Sequence, residues 1–227
     1  GEENANTSMW LVDISDQTIG DTVALVGDHA DFTDGAVALT THTGAGDTTG
    51  ITIPNFPFDC RTGKKWWVET AFQLSDHDNM EFFFGLHEAQ YASNTILATA
   101  AIGASADALA FVKDVHNVDA ITVKQHRTDG SGDAGALSNA LDSALSVAND
   151  TDVVRLGIHW DGNGMVKYYG SVTTSAVGYG SEAMPLVYQS SVGVPEEGVK
   201  LALSLQVATG GAADVCDLNF IRGAWEV

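Results

Sequence analysis

Two stretches of the chain alternate apolar and polar residues with a period of two, a pattern that a strand can place on one face and a helix cannot. Residues 66–88 run WWVETAFQL, then a polar SDHDN, then MEFFFGLHE. Residues 199–227 contain LALSLQVAT, a Gly-rich turn, then DVCDLNFIRGAWEV. Each reads as two neighbouring antiparallel strands joined as a hairpin. Parity puts Trp66, Val68, Thr70, Phe72 and Leu74 on one face together with Met80, Phe82, Phe84 and Leu86. That face is core. The opposite face takes Trp67, Glu69, Ala71 and Gln73, then Glu81, Phe83, Gly85 and His87. Its mixed character suits a sheet whose second side meets solvent or a partner.

The remaining apolar runs are short. Strands are predicted over 10–14, 21–27, 36–43, 51–53, 109–113 and 121–127. Two more, 152–160 and 165–171, flank DGNG, a compact hairpin signal. Pro54 and Pro57 would interrupt a ladder, so an edge or a crossing loop is expected there. Residues 89–110 read as a long loop or a short helix. Leu137, Leu141 and Leu145 recur every four residues and predict one short amphipathic helix. Residues 172–194 read as loop. About a dozen short strands with turn signals every ~8–12 residues predict an all-β fold, an antiparallel two-sheet β-sandwich with at most one or two short helices. The 227 residues are read as a single domain, with 1–10 a loose or partner-anchored arm. A chain of this size buries roughly 70–75% of its unfolded surface and needs no disulfide or metal staple.

Charge narrows the function. Thirty acidic residues against ten basic ones give a net charge of −20. Such a surface repels phosphates and anionic lipids, so neither nucleic acid nor a membrane is expected as a partner. No apolar run approaches the ~20 residues of a membrane span. The acidic, polar GEENANTSMW is not expected to act as a signal peptide or presequence. Cys60 and Cys216 belong to no CxxC motif. Cys216 lies among apolar residues and reads as a small buried hydrophobe. A Cys60–Cys216 bridge is the alternative, and a reactive thiol is the least supported.

Motifs for chemistry are scarce. Retaining glycosidases need two carboxyl groups ~5–5.5 Å apart, and no ExDxE-like alternation of acids occurs. Glu69 and Glu81 could share the outer face of the first hairpin, near Trp67, His87 and His159, but solvated strand acids are the simpler account. Asp76, His77, Asp78 and Asn79 offer ligand atoms from one tight turn, too close in sequence to converge on an ion. Asp129, Ser131 and Asp133 have the spacing of a calcium loop, which then fails at Ala134 and Ala140. No HExxH, G-x-S-x-G or GxxxxGK[ST] is present, the glycines of DGSGDAG (129–135) read as a loop rather than as a strand-to-helix phosphate turn, and no metal or cofactor is expected. By strand parity Trp67, Phe83, His159 and Tyr169 form a candidate contact face. Exposed aromatics of this kind suit a protein partner first and a glycan second.

The order of FQLSDHDNMEFFFGLHE, LAFVKD, VVRLGIHWDGNGMVKYYGS and LALSLQVATGGAADVCDLNFIRGAW resembles a concanavalin-A-like jelly roll. More narrowly it is similar to the lectin-like sandwich proteins encoded among head genes of tailed bacteriophages. In that group a strand ending in GL follows a short acidic turn, a DG turn joins two middle strands, and the last strand ends like Phe220–Ile221–Arg222. The resemblance covers roughly residues 65–227 and does not extend to the first sixty. It implies a non-enzymatic virion structural protein made in the host cytoplasm. Such a protein decorates or cements the capsid exterior through the major capsid protein and copies of itself, as a homotrimer. The same fold carries lectins and glucanases, so a carbohydrate-binding module is the alternative and a divergent glycoside hydrolase the third reading.

Overall fold

Phe72 and Phe82 meet edge to face with ring centroids 5.0 Å apart, and the contact runs between two sheets, not along one. The computed structural model describes residues 11–14, 22–26, 36–42, 48–88, 107–114, 119–128, 133–141, 145–173 and 184–226. Its first strands are β1 (Leu11–Ile14), β2 (Thr22–Val26), β3 (Ala36–Thr40), β4 (Thr48–Phe58) and β5 (Trp66–Leu74). They are followed by β6 (Met80–Glu88), β7 (Ala108–Lys113), β8 (Thr122–Thr128), β9 (Asp133–Ala140) and β10 (Val153–Trp160). The last four are β11 (Val166–Thr173), β12 (Leu186–Ser190), β13 (Leu201–Thr209) and β14 (Val215–Trp225). Two seven-stranded antiparallel sheets result, in the orders β1-β4-β13-β6-β7-β8-β9 and β12-β11-β10-β5-β14-β3-β2. We call them the first and second sheet.

The predicted sandwich is present, but neither predicted hairpin at 66–88 or 201–225 forms. β5 pairs with β10 and β14, whereas β6 pairs with β13 and β7. Each polar turn therefore carries the chain from one sheet to the other as an arch. Alternation fixes which side chains point inward; it does not say whether the next strand lies alongside or opposite. Asp76 closes the first arch, its backbone oxygen accepting from Met80 N at 3.0 Å and its carboxylate from Asn79. The arches lean on each other where Gly210 N donates to Asn79 O, 2.9 Å. The inward parity itself holds. Trp66, Val68, Phe72 and Leu74 face Met80, Phe82, Phe84 and Leu86 across one core. Each fully buried side chain of this size contributes roughly 1.5–3 kcal/mol. Thr70 is inward and polar, and its hydroxyl donates to Phe220 O, 2.8 Å, where β14 slips register against β5.

Two local expectations are corrected and one is met. Pro54 and Pro57 lie inside β4, and the ladder breaks around them as expected: among the described residues β1 pairs with residues 49–52 and goes no further. Leu203 pairs with Ile53 but Leu201 with Phe58, so the prolines fall in a bulge where missing donors are tolerated. Leu137 belongs to β9 and pairs with Gln125, so no helix forms there, and none occurs among the described residues. Leu141 and Leu145 follow the strand and enter the core. β12 starts directly after Pro185, within the span read as loop, and pairs with β11 as an edge strand. The DGNG hairpin forms as expected between β10 and β11: Asp161 Oδ1 accepts from Asn163 N and Met165 N, and Gly162 takes φ 74°. Residues 1–10, 89–106 and 129–132, which carried the arm, loop-or-helix and calcium-loop readings, lie outside the described residues. Cys60 and Cys216 are free, buried thiols, and burial pushes both pKa values up.

Candidate functional site

Three of the four predicted contact residues come together on the outer face of the second sheet. Trp67 lies with its ring centroid 5.1 Å from Tyr169 and 6.1 Å from His159. All three are half-buried. The indole can lie flat because Gly157 sits beneath it: a Cβ there would be 2.5 Å from Trp67 Cζ2. Burial and then Lys167 hold the His159 imidazole below its ordinary pKa.

Phe83 is not part of this face. The arch sends β6 into the first sheet, where Phe83 is fully buried against Ala110, Val112 and Ala208. The outer face of that sheet is closed to solvent at its centre: Thr52, His87, Ser204 and Gln206 are buried there as well. The same topology separates Glu69 from Glu81, which lie on strands of different sheets. Glu69 is buried and held by two guanidiniums, Arg222 Nε at 2.5 Å and Arg155 Nη2 at 3.8 Å. The Arg222 guanidinium also rests 4.7 Å over the Phe220 ring. A carboxylate so engaged is committed to holding three strands in place.

At the first arch the structure adds partners that the turn alone did not suggest. His77, Asp78 and Asp119 bring one ligand atom each within 4.8 Å of one another. His77 Nδ1 is already bonded to Asp150 Oδ1 at 2.7 Å, and that bond holds the Asp150 carboxyl below its usual range. Below the turn, buried Lys113 donates from Nζ to His77 O and to Met80 O, the latter at 3.1 Å. Its ammonium supplies the positive charge these acids face. Lys113→Met leaves two carbonyls without their donor, and we expect a loss of about 1–3 kcal/mol in urea denaturation.

The solvent-accessible cleft of interest lies at one end of the sandwich, where the ends of β4 and β14 meet the starts of β5 and β13. It encloses about 180 Å³. Its floor is the Trp66 indole and one wall is Trp225, which is 41% exposed. Phe58 supports Trp225 edge-on, centroids 6.0 Å apart. Four hydrogen bonds fix the loop between β4 and β5 that forms the rim. Trp66 Nε1 donates to Asp59 O, Trp160 Nε1 to Arg61 O, Gly63 N to Gly162 O, and Glu226 N to Lys65 O, at 2.7–3.1 Å. Around the rim stand Arg61, Lys64, Lys65 and Lys200. Buried Asp59 accepts from Lys200 at 3.0 Å and pairs with Arg61 at 3.3 Å. Sequence reasoning passed over this group. The available signal was RTGKK, three of the chain's ten cations within five residues.

No family model matches the chain. No curated protein resembles it in sequence. Solved structures do resemble it in shape. A seed lectin of Lotus tetragonolobus aligns over 94% of this chain and 96% of its own, with TM-score 0.51 and 12% identity. An endo-1,3-beta-glucanase from Streptomyces sioyaensis aligns over 97% and 90%, with TM-score 0.53 and 12% identity. The carbohydrate recognition domain of Emp46p, in a potassium-bound form, aligns over 95% and 88%, with TM-score 0.53 and 12% identity. The fold is a concanavalin-like jelly roll. At such identity the likeness establishes architecture, and any function must come from the site.

Proposed function

We propose that this protein is a non-catalytic carbohydrate-binding module whose site is the cleft at the sandwich end. One observation carries the reading: the half-exposed Trp225 indole stands beside charged donors held by a rigid rim. A sugar ring offers an apolar face to an indole and hydroxyls to such donors, which fix its orientation. The architecture shared with a seed lectin and a carbohydrate recognition domain supports it. The state of the candidate acids supports the absence of catalysis. Asp59 is buried under two cations, Glu69 under two others, and Glu81 lies on a strand of the other sheet. Titration against a glycan panel should find binding. Truncating a Trp at the centre of an interface removes about 2 kcal/mol or more, so Trp225→Ala should weaken it roughly thirtyfold with the urea midpoint little changed. Polysaccharide turnover that vanishes in Glu69→Gln or Glu81→Gln would overturn the reading in favour of a glycoside hydrolase.

A second reading, decoration of a capsid exterior, is favoured by the sheet edge. Among the described residues β12 is paired on one side only, and Leu186 on it and Val192 after it are 49% and 52% exposed. An open edge with apolar side chains is a ready surface for another chain. Co-sedimentation with purified shells, reduced by Leu186→Lys, tests it; failure to bind shells under any condition sinks it.

A further inference from the structure

The charge around the cleft runs against the charge of the whole chain. Of ten cations in a protein of net charge −20, four line this one cleft. Two acids line it with them, Asp59 and Glu226, which leaves the lining at +2. The cations are not consumed in the interior. The Arg61, Lys65 and Lys200 side chains are about half exposed, and Lys65 reaches Glu226 only at 4.0 Å. Asp59 answers two of the four, Lys200 and Arg61, and Glu197 reaches Arg61 as well at 3.5 Å. Lys64 is exposed and makes no ion pair among the described residues. A positive cleft in a strongly negative protein is an arrangement that attracts and orients a negative group at one place.

The aromatic lining says what carries that group. Trp66 and Trp225 give the cleft an apolar floor and wall. At about 180 Å³ it is smaller than the roughly 300–1,000 Å³ of sites that engulf drug-sized ligands. It therefore takes one ring with its substituent, and the rest of a longer ligand runs out into solvent. We infer that the cleft selects acidic saccharides, with a sugar ring against Trp225 and its carboxylate or sulfate between Lys64 and Lys65. This rests on the carbohydrate-binding reading above and adds the ligand class to it. With the lining at +2 in a chain whose total is −20, the other residues sum to −22, so a polyanionic glycan is favoured at this end over the protein's average surface.

Calorimetric titration of the intact chain tests it with three matched oligosaccharides: a uronate-bearing one, its carboxyl-reduced neutral counterpart, and a sulfated one. The uronate should bind at least about tenfold tighter than the reduced form, with the preference shrinking as salt rises. Tighter binding of the sulfated form names sulfate as the group, and tighter binding of the uronate names carboxylate. Lys64→Glu, at an exposed position, should abolish the preference, whereas the same charge change at Lys167, outside the cleft, should leave it intact. Equal binding of all three overturns the inference and leaves the glycan module standing. Binding of none of the three, with none on the wider panel, overturns both. Displacement of the uronate by the peptide GEENANTSMW at equal or better affinity overturns the saccharide in favour of an acidic peptide.

Discussion

Phe72→Ala and Phe82→Ala should each destabilise the protein by about 3–5 kcal/mol, the range for emptying a packed aromatic site. Both rings are fully buried and meet edge to face at 5.0 Å. Removing one leaves a cavity that the other lines, so the two losses should not add. A double-mutant cycle by urea denaturation should give a coupling of about 0.5–1.5 kcal/mol. The matching control is Trp67→Ala with Phe83→Ala. Residue parity assigns these two rings to one face if residues 66–88 form a hairpin. The observed arch puts them on opposite outer faces of the sandwich. Their losses should then add within about 0.5 kcal/mol. Strong coupling between Trp67 and Phe83, with none between Phe72 and Phe82, is the result that the arch does not permit.

That control marks what the sequence could and could not carry. The inward face of β5 and β6 was legible because side chains alternate strictly and only Thr70 interrupts the apolar set. Partner choice was not legible, because β5 meets β10 from eighty residues later and β14 from the chain's far end. Nothing local in WWVETAFQL encodes those neighbours. Local chemistry succeeded where the pairing was local: DGNG specified the β10–β11 hairpin through Asp161 and Gly162. It misled where two structures share a spacing. Leu137, Leu141 and Leu145 fit a helix face, but Leu137 is claimed by the β8 ladder.

The site followed the same division. Trp67, His159 and Tyr169 were found because register across β10 aligns residues of like parity. Phe83 was lost with the hairpin. The cleft was missed because its lining comes from three separated chain segments: residues 59–66, Lys200, and Trp225 with Glu226. Only the RTGKK tract announced itself in sequence, and its meaning depends on Trp225 arriving beside it.

Acid should destabilise this protein through a single histidine before its surface acids titrate fully. His87 is buried on the outer side of the first sheet and sits in a one-way chain of hydrogen bonds across three strands. Its Nδ1 lies 3.0 Å from Glu88 O, which can only accept, so the proton resides on Nδ1. Nε2 must then accept from Ser204 Oγ at 2.7 Å, and Ser204 in turn accepts from Thr52 Oγ1 at 2.8 Å. Protonating Nε2 makes the Ser204 hydroxyl turn over to donate to Thr52 and places a charge where water does not reach. Burial accordingly lowers the His87 pKa from 6.5 to about 4, the Glu88 carbonyl opposing only in part. The unfolded chain takes up the proton near the ordinary value, the folded chain only near the depressed one. Stability from this group is therefore fully present above the unfolded pKa and is lost as pH falls toward about 4. The loss between about pH 7 and about pH 4 should be about 3 kcal/mol. His87→Gln keeps an acceptor for Ser204 and cannot titrate. Urea midpoints at both pH values should show the variant weaker at neutral pH but losing about 3 kcal/mol less on acidification. Parallel loss in both proteins would place the acid sensitivity elsewhere.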